Sequence, residues 1–364
     1  MKILFLGRYN ESGLLTGPEK VAKRIFNKCS CDFETVFITY FFDGNKHSLF
    51  TKLFGKEVIR EPGNRKIYRL GIFRIMSYIL KFSPDIIHII NFERFAKISY
   101  FHQRFPGTKI YYNVHGIAAF ENEVSPNASD KLKKKDLSSE MRYFSDSDRL
   151  IFLSERSVNT AQKYFQFDRS KAVIIPNGID IIFHQIGKKK VSSNNKGIMK
   201  LVFAGDADKK EKGFEFLLNS LEQIHFPLEV FVVGNNYKVK EDKRNNISFK
   251  FIEKINTEEF AKFLSDKDIF VSASSYEQFS LTSVEAMAAG LVTIVTEETG
   301  MSAYVNNGIN GYTVKYGDKE RLINLLNILN SDRAISKQIS EEGKKIYSIL
   351  SWEMVYRNYK KLYE

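Results

Sequence analysis

The architecture of the chain is most legible in Ile269-Phe270-Val271-Ser272-Ala273-Ser274-Ser275-Tyr276-Glu277-Gln278-Phe279-Ser280-Leu281-Thr282-Ser283-Val284-Glu285-Ala286-Met287-Ala288-Ala289-Gly290. A short β-branched and aromatic run, Ile269–Ala273, gives way to a polar loop. The loop leads into a helical stretch over Thr282–Ala289 with good helix formers from Val284 to Ala289, and Gly290 supplies a stop signal. A strand that feeds a helix in this way is one half of a crossover between parallel strands. Its loop sits where the carboxyl end of a strand meets the amino end of a helix, and free N–H groups there suit phosphate.

The same rhythm extends in both directions. Strands are expected at Lys2–Gly7, Thr35–Tyr40, Asp85–Ile90, Lys109–Val114, Arg149–Ser154 and Ala172–Pro176, then at Lys200–Gly205, Leu228–Gly234, Ser248–Ile252 and Leu291–Thr296. Helical periodicity separates them over Pro18–Lys28, Ile72–Phe82, Ser157–Phe165, Phe214–Gln223 and Thr257–Leu264. This alternation predicts an α/β protein with parallel sheets covered by helices. Two halves, each opening on a strand that ends in glycine, suggest two Rossmann-like domains, residues 1–184 and 185–350, linked through the polar stretch Gly187–Gly197. The tail, residues 351–364, places Trp352, Val355, Tyr359 and Leu362 near helical spacing and predicts a helix with one apolar stripe.

With 364 residues the chain is long enough for two cores. Its 43% apolar and 27% charged residues exclude a disordered or fibrous protein. Cys29 and Cys31 form no disulfide framework, and a lone C-x-C pair is a poor metal site; reduced thiols and a cytoplasmic setting are expected. Met1–Gly7 is too short an apolar run for a signal peptide, and no apolar run is long enough to span a bilayer.

The net charge of +12 is uneven: residues 1–184 carry 29 Lys and Arg against 19 Asp and Glu. The bland account is a compositional bias toward lysine. The functional account is an anionic partner for the first half: a membrane surface such as the inner face of the cytoplasmic membrane, a phosphate-bearing lipid, or nucleic acid. Lys131, Lys133, Lys134 and Lys135 read as a mobile polar loop available to such a partner. Nucleic acid is disfavoured, since no helix-turn-helix, zinc-finger or RNA-binding signature accompanies the charge.

Glu277 and Glu285 flank the start of the predicted helix, and a carboxylate can accept two hydrogen bonds from a vicinal diol of sugar or ribose. As bland alternatives, Glu285 is a solvated first-turn residue and Glu277 a loop charge. Gly13 to Gly17 form a loop opening a helix after the first strand. The spacing Gly7, Gly13, Gly17 does not fit G-x-G-x-x-G, which disfavours a nicotinamide enzyme. His115 closes the strand Lys109–Val114 and is a hydrogen-bonding or proton-relaying candidate, with a structural histidine as the alternative. His88 reads as a packing residue.

The run from Glu277 to Gly290 resembles the glutamate-pair signature of retaining GT-B glycosyltransferases of family 4 (glycosyl transferases group 1): Glu, seven residues, Glu, then Ala-Met-Ala-x-Gly. Four other segments resemble the same family in the same order. They are Ile175-Pro176-Asn177-Gly178-Ile179-Asp180 with Phe183; Phe203-Ala204-Gly205 with Lys212-Gly213-Phe214 and Leu217-Leu218; Asn310-Gly311-Tyr312; and Ser351-Trp352-Glu353.

The resemblance implies two domains facing a deep cleft, with a final helix crossing back to the first. It also implies a nucleotide-diphosphate sugar (UDP or GDP) as donor. In this family, Glu285 would hold the ribose and Glu277 would lie near the sugar hydroxyls and the anomeric carbon. Backbone N–H groups of Phe279, Ser280, Leu281 and Thr282 would hold the sugar and diphosphate, and Lys212 would neutralise the diphosphate. Gly17 and Gly205 would let backbone approach the phosphates, and His115 would contact the sugar. Where the family commonly has Gly-Arg, this chain has Gly205-Asp206, so Lys209 or Lys210 is the expected substitute cation. Lysine and helix dipole can carry the charge work, so no metal cofactor is expected. The alternatives are an epimerase or phosphorylase on the same fold, or a non-catalytic sugar-nucleotide-binding subunit.

Overall fold

A computed structural model describes the chain except for residues 11–13, 42–46, 61–64, 92–97, 125–128, 191–196, 235–240 and 245. It divides into two compact units: Met1–Ile175 with Tyr356–Glu364 (unit 1), and Pro176–Val355 (unit 2). Each is a parallel sheet with helices.

In unit 1 the strands are β1 (Lys2–Leu6), β2 (Glu34–Tyr40), β3 (Lys56–Arg60), β4 (Lys66–Leu70), β5 (Ile86–Ile89), β6 (Lys109–Val114), β7 (Arg149–Phe152) and β8 (Ala172–Ile174). They lie in the order β3-β4-β2-β1-β5-β6-β7-β8. Only β3 runs antiparallel, with Val58 opposite Tyr68. Three helices matter below: α1 (Gly17–Asp32), α2 (Leu49–Phe54) and α3 (Ile72–Phe82).

In unit 2 the strands are β9 (Met199–Ala204), β10 (Leu228–Gly234), β11 (Glu241–Arg244), β12 (Ile247–Glu253), β13 (Ile269–Ser272), β14 (Val292–Thr296) and β15 (Tyr312–Val314). Their order is β11-β12-β10-β9-β13-β14-β15, with β11 the antiparallel edge. The order reverses between β9 and β13, which pair through Ile269 and Leu201. In an open α/β sheet, that reversal leaves a crevice outside the carboxyl ends of the two strands, where ligands bind.

Most predicted elements form within one or two residues of their expected bounds. The strands β3, β4, β11 and β15 were not expected. Lys56-Glu57-Val58-Ile59-Arg60 and Glu241-Asp242-Lys243-Arg244 are edge strands whose charged residues hide any apolar signal, while charges of this kind keep an edge from pairing with another chain.

The expected linker begins too early. Gly187 lies inside the helix Ile181–Lys189, and a Cβ there would meet the Ala288 carbonyl at 2.2 Å, so this glycine serves close helix packing. The boundary expected at residue 184 runs through that helix, and residues 191–196 of the linker lie outside the described residues.

The C-terminal helix, Trp352–Tyr363, buries Trp352, Val355, Tyr359 and Tyr363, with Tyr363 taking the place foreseen for Leu362. Its last two turns belong to unit 1, where Tyr356 donates to Asp32 at 2.7 Å. Two segments far apart in sequence meet in unit 2: a Cβ on Gly178 would fall 2.4 Å from the Trp352 ring. Cys29 is buried, which pushes its thiol pKa up, and Cys31 is exposed. Among the described residues no helix is long and apolar enough to cross a membrane.

Candidate active site

The reversal point of unit 2 gathers the residues that the sequence singled out. After β9 the chain makes a short 3-10 turn, Lys210–Lys212, and reaches Gly213 at φ +69°. A side chain at Gly213 would place its Cβ 1.9 Å from the Ala273 carbonyl at the end of β13, so only glycine lets this loop lie against that strand end. The Ser275 N–H then donates to the Glu211 carbonyl at 2.9 Å. Two loops from neighbouring strands are thereby laced together, which brings Lys212 Nζ to 3.3 Å from Glu277 Oε1.

Glu277 is held by its backbone and its side chain. Its N–H donates to Glu298 O at 3.3 Å, and its own carbonyl accepts from the Gly300 N–H at 2.9 Å. The Ser274 hydroxyl donates to Oε2 at 3.2 Å, so each carboxylate oxygen has a partner. Only about a quarter of each of the Lys212 and Glu277 side chains is solvent-exposed (28% and 24%), a setting in which a salt bridge is screened less than at an open surface.

The helix Leu281–Ala288 starts at Ser280, which adopts the left-handed conformation (φ 73°), one of two non-glycine residues that do so among the described residues. The Ser280 hydroxyl meets Ser283 Oγ at 2.6 Å and caps no backbone N–H. The first intrahelical bond runs from the Val284 N–H to Ser280 O. The N–H groups of Leu281, Thr282 and Ser283 therefore precede the helical ladder, at the positive end of the helix dipole. Between Val271 and Thr296 every residue is buried except Ser275, Glu277, Leu281 and Thr282. What this segment shows to solvent is thus Ser275, one carboxylate and a helix start. Phe279 is in the core.

Glu285 is 3% exposed, which corrects the solvated first-turn alternative: one turn into the helix, its carboxylate lies below the surface. Of the three lysines after Gly205, Lys209 and Lys210 are exposed and Lys212 reaches Glu277. The Lys212 stem passes over Gly205, with Cδ 3.6 Å from where a Cβ would stand. Asp206 accepts from the Asp208 N–H at 3.2 Å in a local turn.

In unit 1 His115 follows β6 and is half-buried. Behind it lies a polar chain that the sequence reading missed. Tyr363 Oη is 2.6 Å from His88 Nδ1, His88 Nε2 is 2.7 Å from Asn113 Oδ1, and Asn113 Nδ2 donates to Tyr359 Oη at 2.8 Å and lies 3.5 Å from His115 Nε2. An amide oxygen only accepts, so His88 carries its proton on Nε2 and accepts from Tyr363 on Nδ1. The Asn113 NH₂ only donates, so His115 accepts on Nε2 and carries its proton on Nδ1. Burial pushes the His88 pKa down to about 4. Burial, and then the neighbouring His88, push that of His115 down to about 3, so both rings are neutral near pH 7. A polar Asn113 inside an otherwise apolar strand was the available signal.

Gly17 is the first residue of α1, behind a Thr16–Glu19 capping box, and Gly13 lies outside the described residues. The lysine cluster Lys131–Lys135 is not a mobile loop. It forms the first turns of the helix Asp130–Asp146, started by Ser129, whose hydroxyl accepts from the Leu132 N–H, and anchored by buried Tyr143 and Phe144. Lys131, Lys134 and Lys135 are exposed there and Lys133 is half-buried.

Residues 186–346 match the family model described as "Glycosyl transferases group 1", and residues 32–182 match "Glycosyltransferase Family 4". Sucrose synthase 1 of Tulipa gesneriana is 28% identical over 279 residues, which is 70% of this chain and 32% of that protein. The chain spans about a third of the length of the curated relatives it matches. Sucrose-phosphate synthase from Thermosynechococcus elongatus superposes with TM-score 0.76 at 16% identity, over 100% of this chain and 98% of that one. HepE of Anabaena, solved in complex with UDP and glucose, gives 0.71 at 17% identity, over 100% and 99%. The chain therefore belongs to the glycosyltransferases of group 1 and family 4, on the GT-B fold.

Proposed function

We propose that the chain transfers a sugar, with retention of anomeric configuration, from a nucleotide-diphosphate donor to a hydroxyl of a glycan or lipid-linked acceptor in surface polysaccharide synthesis. The observation that carries this reading is the meeting of Lys212, Glu277 and an uncapped helix start at the reversal point of the second sheet. The diphosphate lies at the N–H groups of Leu281 and Thr282, and Lys212 balances the charge that grows on it as the glycosidic bond breaks. A well-placed donor of this kind is worth roughly 3 kcal/mol in the transition state. UDP is the favoured nucleotide, since HepE is solved with UDP-glucose, with GDP as the other choice.

Glu277 lies beside the sugar and stabilises the positive charge developing at its anomeric carbon, while Glu285 holds the ribose diol. A covalent glycosyl intermediate would need a second free carboxylate about 5 Å away, and Glu285 is engaged elsewhere. The reaction accordingly proceeds on one face. The anomeric carbon–phosphate oxygen bond breaks, the acceptor oxygen bonds to that carbon, and the acceptor proton passes to the departing phosphate oxygen. His115, donating from Nδ1, is the sugar contact offered by the first unit. Exposed Lys131 and Lys134 are offered to an anionic group on the acceptor.

The test is incubation with UDP- and GDP-sugars in turn, following nucleotide release and the anomeric proton of the sugar product by NMR. The reading predicts slow release from one donor with the starting configuration kept. Release that needs free phosphate, donor interconversion without release, or inversion would contradict it.

A further inference from the structure

Ile72-Phe73-Arg74-Ile75-Met76-Ser77-Tyr78-Ile79-Leu80-Lys81-Phe82, the whole of α3, is apolar round much of its circumference. Ile75 and Ile79 enter the core, yet Phe73 is 55% and Leu80 61% exposed. Phe73 and Leu80 are seven residues apart and share a face. The neighbouring α2 buries none of its six residues, and Leu49 and Phe50 are each 73% exposed. The rings of Phe50 and Phe54 are 5.3 Å apart, and Phe54 stacks on Phe73 at 5.1 Å, so Phe50, Phe54 and Phe73 form one aromatic strip. Arg74 Nε donates to the Phe54 carbonyl and ties the two helices together. Single exposed apolar residues are ordinary, whereas a continuous strip marks an interaction surface.

The charge of the segment that carries the strip points to the partner. Residues 49–82 contain eight Lys and Arg against two Asp and Glu, so 34 residues hold +6 of the chain's +12. One of the two acids, Glu57, is engaged by Arg69 at 2.6 Å. Lys56 and Lys81 are exposed and Lys52 half-buried on α2. A second copy of the chain would bring an equally cationic face against this one. Anionic headgroups above an apolar interior match both features, with aromatic rings entering the boundary and lysines reaching the phosphates.

We propose that the α2–α3 face of unit 1 docks on an anionic lipid bilayer through Leu49, Phe50, Phe54, Phe73 and Leu80. This contact is separate from the lysine helix Asp130–Asp146 and independent of the sugar-transfer reading. The experiment is co-sedimentation of the full chain with phosphatidylcholine vesicles, with and without phosphatidylglycerol. Binding is expected only with the anionic lipid, and it should weaken with salt. Phe50→Ser/Phe73→Ser should weaken it by about tenfold or more, and Lys52→Glu/Lys56→Glu/Lys81→Glu by a similar factor. Lys131→Glu/Lys134→Glu should leave it unchanged. Melting temperatures check folding; should the aromatic pair melt early, Leu49→Ser/Leu80→Ser replaces it. Failure of the parent chain to bind, equal binding by the surface variants, or loss through Lys131 and Lys134 instead would overturn the proposal. So would a dimer abolished by Phe50→Ser/Phe73→Ser in a chain that ignores vesicles.

Discussion

The two sheets present opposite chemistry at their carboxyl ends. Unit 2 offers a charged pair, Lys212 and Glu277, partly open to water beside a helix start. Unit 1 offers His115, a neutral ring backed by the uncharged chain of Asn113, His88, Tyr359 and Tyr363. On the proposed reading, a side chain that balances a diphosphate gains from carrying charge and from staying hydrated enough to exchange partners. A group that positions a neutral hydroxyl does better with a fixed proton and no net charge, because charge there would attract the phosphates to the wrong place. The difference lies in the loops after the strands, on two sheets that are each parallel but for one antiparallel edge strand.

Substitutions that remove charge from unit 2 have the largest expected effect. Glu277→Ala should lower kcat by roughly 10²- to 10³-fold with little change in donor KM; a matching loss in KM alone would assign Glu277 to ground-state binding.

Acid sharpens the contrast next. His88 has its pKa near 4 in the native chain and an ordinary value near 6.5 when unfolded, so between these pH values the unfolded chain takes up a proton that the native chain refuses. Stability from this ring is complete above pH 6.5 and falls as pH drops, by about 1.4 kcal/mol per pH unit until the native ring titrates. His115 acts in the same direction. Glu140, whose pKa burial raises to about 7, acts in the opposite one, contributing stability that is lost as pH rises from about 4.5 to 7. The two histidines outweigh it, so denaturant midpoints should fall between pH 6.5 and 5. Glu140→Gln should steepen the fall, and a midpoint that rises on acidification would contradict the neutral chain.

The smallest effect belongs to the far end of that chain. Tyr363→Phe leaves His88 Nδ1 without its donor at a cost of about 1–3 kcal/mol of stability, with donor affinity unchanged. A change in nucleotide affinity in this variant would break the separation between the two units.

Sequence reading reached the charged site more completely than the neutral one, for a physical reason. Lys212, Glu277 and Glu285 lie in loops and helix starts next to strands with strong apolar periodicity, so their neighbours announce them. Ser274, which steadies Glu277, lay in the same stretch but carries no distinguishing signal. The chain behind His115 draws on residues 88, 113, 359 and 363, whose proximity depends on the C-terminal helix returning to unit 1. Spacing cannot report contacts over that separation. The strands β3 and β11 escaped because charged edge residues lack alternation. Lys131–Lys135 looked like a loop because its run of charges hides a helix whose apolar contacts come later, at Tyr143 and Phe144.

Calorimetric titration with UDP, GDP and the matching free nucleosides, on the parent chain and on Lys212→Ala, tests the assignment of the second sheet's crevice most directly. One of the diphosphates should bind the parent chain, and Lys212→Ala should weaken that diphosphate by about tenfold or more while leaving the free nucleoside's affinity as it was. Equal diphosphate affinity in the two proteins, or no binding of either diphosphate, would contradict it.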